Sequence, residues 1–237
     1  MLHGIIFCMD DLNENLSLVF ELCNKDYDTE LIFSILKSGT IIEKQSAVLN
    51  LDEIRSNSDA GILMENLTGI DGKVRQAVAY KIFQLIPKYK NFFYDAEFYD
   101  IFAKSIIDID SNVCRLVIDS IQFLKDDKNF SVYIANKMKN IIFDSLSELS
   151  KISFRAKKYT SNKQYFKIYW CLETLIGFYM FLSDDDLHEL LSICVKLPEY
   201  TIREKCAVIL KPLSSKQKFN DLILSLSNDE NYYVRNV

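Results

Sequence analysis

One short pattern returns along this chain and limits what it can fold into. It is a polar or acidic turn, a β-branched residue with a base close behind, and then an apolar helix. Four segments carry it: "DGKVRQAVAYKIFQLI" (71–86), "DSNVCRLVIDSIQFL" (110–124), "EYTIREKCAVILKPL" (199–213) and "DENYYVRNV" (229–237). A weaker version is "GTIIEKQSAVLNLDEI" (39–54). Anchored on Ile42, Val74, Val113, Ile202 and Val234, the copies stand 32, 39, 89 and 32 residues apart. The long gap is about twice 44 and leaves room for one more copy, so the pattern implies a repeat architecture. The copy inside the gap is "NKQYFKIYWCLETLIGFYMFL" (162–182), which has lost the turn motif and kept the apolar helix.

Each anchor follows a second amphipathic stretch, such as "DAEFYDIFAKSIIDI" or "SDDDLHELLSICVKL". Apolar residues recur there at three- and four-residue steps, as in Leu187, Leu190, Leu191 and Cys194, which predicts helices with one buried face. Asp95, and Ser183 followed by Asp184 to Asp186, supply capping oxygens and negative charge where a helix dipole favours them. Five residues after the first four anchors stand Ala47, Ala79, Ile118 and Ala207; a small side chain there lets a neighbouring helix come close. Six Gly and three Pro in 237 residues are too few for the corners of a sandwich or barrel. The expected fold is therefore all-α, a right-handed α-solenoid of about six antiparallel helix pairs. It forms one domain over 1–237, with an N-terminal capping helix over 1–27 and repeats over 28–237.

The turn entering the second helix of each pair, "DGKVR" and more loosely "EYTIR" and "DENYYVR", resembles that of HEAT repeats. Armadillo and other helical-pair repeats satisfy the same pattern. The HEAT resemblance implies that the turn Asp and the following Arg form a ladder between adjacent repeats, so Asp71, Arg75, Asp110, Arg203, Asp229 and Arg235 are expected to be structural. The last repeat is expected to be incomplete and the natural chain to continue. Leu222, Ile223, Leu224 and Leu226 would then be left uncovered, and the chain would self-associate through its C-terminal repeat.

Little in the sequence points to catalysis. It has no G-x-S-x-G, P-loop, G-x-G-x-x-G or H-E-x-x-H motif, and only His3 and His188 to move protons near neutral pH. The six cysteines, at 8, 23, 114, 171, 194 and 206, form no C-x-x-C pair and sit mostly among apolar residues. They read as free thiols in a reducing compartment, with no metal and no cofactor expected. The longest apolar run, "IYWCLETLIGFYMFL" (168–182), is shorter than a bilayer span and contains Glu173. A cytoplasmic protein with no membrane partner is expected.

The stretch "KISFRAKKYTSNKQYFKIYW" (151–170) stands apart. It carries Lys151, Arg155, Lys157, Lys158, Lys163 and Lys167 with no acid, interleaved with aromatics including Tyr169 and Trp170. Residues 1–150 hold 23 acids against 15 bases. Segregated charge of this kind marks a contact with an acidic protein or polyanion, or simply a solvated loop. These eight residues are the candidate binding site. Trp170, Tyr169 or Phe178 would be an aromatic anchor for a partner. Two functions fit. The first is a non-enzymatic scaffold that binds a protein or peptide along the concave face of the solenoid. The second is a nucleic-acid-binding module resembling the HEAT-like DNA glycosylases that remove alkylated purines. Those enzymes use a basic concave face with Trp, Tyr and Asp around the lesion. Against the second stand a net charge of −5, a single Trp and no Asp within the basic stretch.

Overall fold

A computed structural model describes residues 17, 20–22, 24–151 and 158–237. All regular structure among them is helical. The capping helix expected over 1–27 lies almost wholly outside the described residues. The chain divides into two compact units, Met1–Phe92 and Phe93–Val237.

The first unit contains α1 (Thr29–Ser38), α2 (Ile41–Leu49), α3 (Asn57–Leu67) and α4 (Gly72–Tyr89). Capping residues set where they begin. Asp28 accepts from the Leu31 amide, Thr40 and Glu43 form a reciprocal capping box, Ser56 accepts from Asp59, and Asp71 accepts from Lys73 and Val74. Helix α1 packs on α2 and α3, and α4 packs on α3 and α2. Buried Asn66 ties three of these helices together. Its amide donates to the carbonyls of Leu36 (3.1 Å) and Ile62 (2.9 Å), and its oxygen accepts from Lys44 (3.2 Å). The Leu36 carbonyl lies in the last turn of α1, where the helix supplies no partner of its own.

The second unit contains α5 (Tyr99–Ile106), α6 (Ser111–Ile121), α7 (Lys128–Lys151), α8 (Lys158–Phe178), α9 (Asp184–Cys194), α10 (Tyr200–Leu210), α11 (Asn220–Ser227) and the single turn α12 (Tyr232–Arg235). Consecutive helices pack in pairs: α5 with α6, α7 with α8, α9 with α10, α11 with α12. Alternate helices pack as well. Helix α7 touches α5 and α9, and α8 touches α6 and α10, which in turn touches α12. Within this unit the first helices of the pairs thus line up in one layer and the second helices in another. The stripe read from sequence is the inner face: Leu187, Leu190, Leu191 and Cys194 are all buried.

The recurring turn has recurring chemistry. Arg75 donates to the carbonyls of Gly69 (3.0 Å) and Ile70 (2.9 Å), six and five residues before it. Arg203 donates at the same offsets to Leu197 and Pro198, both 2.8 Å, and Arg235 donates to the carbonyl of Asp229, again six residues back. In the third copy Cys114 stands where the arginine would, and its thiol donates to the carbonyl of Asp108, also six back, at 3.1 Å. A linker carbonyl that no helix satisfies is thus met by the same position each time. Arg203 also grips the Asp229 carboxylate at 2.6 and 3.0 Å. In the last copy Asn231 caps the helix, and Asp229 stands two residues earlier, where its side chain accepts from the Asn231 amide.

Two expectations about exposed apolar residues are corrected. Leu222 and Leu226 are buried, because α12, short as it is, packs on both α10 and α11 and brings in buried Val234. Of the other two, Leu224 is 65% exposed and Ile223 is half-buried. Phe178 is fully buried and packs against Phe130, so it is core and no anchor for a partner.

Cys114, Cys171, Cys194 and Cys206 are buried free thiols. Burial pushes Cys114 up to about 12 and raises Cys171 and Cys206 as well. Since the thiolate is the nucleophile, these thiols should resist iodoacetamide at pH 8 in the folded protein and react in guanidinium. Site-resolved mass spectrometry reads this directly; rapid alkylation of Cys114 or Cys171 without denaturant would contradict the burial.

Candidate binding site

The α7–α8 pair is the long one. At 1.5 Å per residue its helices of 24 and 21 residues reach roughly 36 and 31 Å, whereas the adjoining helices of 8 to 11 residues reach roughly 12 to 16 Å. Contacts show where the extra length lies. Lys205 of α10 pairs with Glu173 of α8 at 2.7 Å and lies 5.2 Å from the Tyr169 ring, while Glu199 lies close enough to Tyr165 to raise its pKa, though burial does more. On the other side Gly177 abuts the Gln122 side chain at the end of α6; a Cβ there would collide with it and with the Lys125 ammonium. Helices α6, α8 and α10 therefore run the same way. The first two turns of α8 extend past the starts of both neighbours, by roughly 10 Å. On that register buried Ile168 stands where Ile202 stands in α10, 34 residues on. The surplus residues are those of the basic stretch.

A groove of ≈ 350 Å³ opens where α8 extends past the start of α6. One wall is the turn between α5 and α6, with Ile107 and Ile109; the other is the start of α8, with Asn162, Lys163, Phe166 and Lys167. Ile109 is 82% exposed. Lys163, Phe166, Lys167 and Trp170 follow one another at helical spacing on a single face of α8. Neither lysine forms an ion pair among the described residues. Of the nearby acids, Asp108 accepts from the Asp110 amide and Asp110 from the Asn112 amide, each at 2.8 Å, and Glu148 pairs with Lys151 at 2.8 Å while also feeling the charge of Lys167.

The candidate residues therefore separate. Lys163 and Lys167 meet at the groove. Trp170, half-buried, backs it by packing edge-on against Phe166 (6.1 Å, 72°) and against Tyr169 (5.1 Å, 86°). The Trp170 indole N–H is enclosed without an acceptor among the described residues. Tyr169 is half-buried beside Lys205 and belongs to the packing of α8 on α10. Lys151 ends α7, exposed and paired with Glu148. Arg155 and Lys157 lie outside the described residues, and Lys158 is described only as the first residue of α8. Sequence reasoning missed Ile107 and Ile109. A signal was present: an isoleucine between two aspartates in a turn has no helix face to serve.

Among the described residues, no group of three or more His, Cys, Asp or Glu side chains could hold a metal ion. No helix there is long and apolar enough to cross a membrane.

No protein-family model matches the chain, and no curated protein matches it. A solved structure to which it is similar is the crystal structure of an engineered protein. The two are 14% identical, the match covers 89% of this chain and 93% of the other, and the TM-score is 0.48.

Proposed function

We propose that this chain is a HEAT-like helical-repeat scaffold, a right-handed solenoid of about six antiparallel helix pairs, that binds a protein or peptide without catalysing a reaction. The repeat reading is supported by the turn chemistry, in which Arg75, Cys114, Arg203 and Arg235 reach carbonyls at one offset. Layering of first helices on first helices and second on second, within each unit, supports it too. The observation that carries the binding reading is the groove on the extended pair, where Ile107, Ile109 and Phe166 line a cleft beside Lys163 and Lys167, neither of which forms an ion pair among the described residues. Solenoids use their second-helix surface in this way. Four buried free thiols support a reducing, cytoplasmic setting.

The test is affinity capture from cell extract, read by mass spectrometry, with the intact chain and with Lys163→Glu/Lys167→Glu. Neither lysine is hydrogen-bonded or ion-paired among the described residues, so the double variant should keep the melting temperature to within a few degrees and lose the captured protein. Capture unaffected by the double substitution would remove the groove from the reading. Turnover of alkylated DNA by the intact chain would replace the scaffold with the glycosylase alternative.

A further inference from the structure

We propose that the groove between turn 107–110 and the start of α8 receives an acidic peptide, seating one bulky apolar side chain between flanking carboxylates. The proposal rests on the scaffold reading and names the partner's chemistry. At ≈ 350 Å³ the groove is at the small end of ligand pockets, about 300–1,000 Å³, and has room for one large side chain and a neighbour. Its apolar lining is Ile107, Ile109 and Phe166. Ile109, at 82% exposure, gains most from being covered.

Charge selects the flanks. Lys163 and Lys167 stand one turn apart on α8 and repel each other, and an anion between them relieves the repulsion. Asp108 and Asp110 flank Ile109 on the opposite wall and keep their charge, so the acids of a bound peptide are drawn to the Lys163–Lys167 side of the groove. The chain as a whole carries −5, so an acidic segment finds few other places to settle. A nucleic acid fits less well. Two lysines neutralise few phosphates where affinity grows with the number neutralised. Bases need an open aromatic platform, and Phe166 is half-buried and covered edge-on by Trp170.

The experiment is selection of a random twelve-residue phage library on the intact chain. Enriched peptides are then made with fluorescein labels and titrated by anisotropy. The expected consensus places Leu, Ile, Phe or Trp beside Asp or Glu. Ile109→Glu and Lys163→Glu should each weaken binding by about tenfold or more, the loss of a central contact. Met180→Glu, at an exposed position at the far end of α8, should leave it unchanged. Ile109 and Lys163 are exposed, so circular dichroism melts of all three variants should match the parent. A consensus without acids, equal affinity for Ile109→Glu, or displacement of the peptide by oligo-dT would each overturn the proposal. Peptides that bind the parent and both groove variants alike overturn the groove and leave the scaffold reading standing. No enrichment, together with no capture from extract, overturns both.

Discussion

Replacing Arg203 by Ala should lower the stability of the second unit by about 3 kcal/mol or more, the usual cost of removing one partner from a buried ion pair. The Arg203 and Asp229 side chains are each only 8% exposed. The substitution strands the Asp229 carboxylate and leaves the Leu197 and Pro198 carbonyls without their donor. For a unit of this size that corresponds to a fall in melting temperature of roughly 6–12 °C. Arg203→Lys should recover only part of it, because an ammonium cannot reproduce the forked contact. The pair also sets a pH dependence. The hydrogen bond from Arg203 holds the Asp229 carboxyl below its ordinary value. A carboxylate with a depressed folded pKa stabilises fully above its unfolded value of about 3.9, and that stability is lost as pH falls through the folded pKa. The gap between parent and Arg203→Ala in urea melts should therefore be constant from pH 7 to about 5 and shrink below 4. A variant within 1 kcal/mol of the parent at pH 7 would show that the pair contributes little.

Phe130→Ala should have an effect of similar or larger size. Phe130 is fully buried near the start of α7, and three rings surround it. Tyr99 lies at 5.1 Å and 78°, Phe102 at 5.8 Å and 82°, and Phe178 at 6.4 Å and 72°. These edge-on rings come from α5 and from the end of α8, so one side chain of α7 joins three helices. Truncation leaves a cavity and costs about 3–5 kcal/mol, seen as a fall of roughly 6–20 °C. Phe130→Leu keeps most of the volume and should cost far less. Equal losses for Leu and Ala would mean that ring geometry, and not filled space, accounts for the stabilisation.

The helices and their inner faces were legible from spacing alone, because burial repeats with the helical period whatever the partner. Even the lost copy at 162–182 kept its apolar face and folds as α8. What spacing could not reveal is the register between helices. Gly177 beside Gln122 and Lys205 beside Glu173 are contacts between residues 55 and 32 positions apart, and they decide that the basic stretch lengthens a helix pair. Cys114 was read as an ordinary buried cysteine; only the six-residue offset of its hydrogen bond places it in the series with Arg75 and Arg203. The site was half visible. A run of bases can be counted, but which of them are neutralised depends on neighbours such as Glu148. The apolar wall at Ile107 and Ile109 comes from a different pair altogether.

The extra turns of α8 stand clear of the starts of both adjoining helices, which gives this molecule a place to change freely. Residues exchanged at its exposed positions, such as Asn162 and Lys163, meet neither α6 nor α10, so packing on those two helices is not disturbed. Lengthening such a tip costs little, since closure entropy rises only with the logarithm of its length. On the groove reading proposed above, binding specificity can thus be rewritten at this tip while the fold below it stays the same.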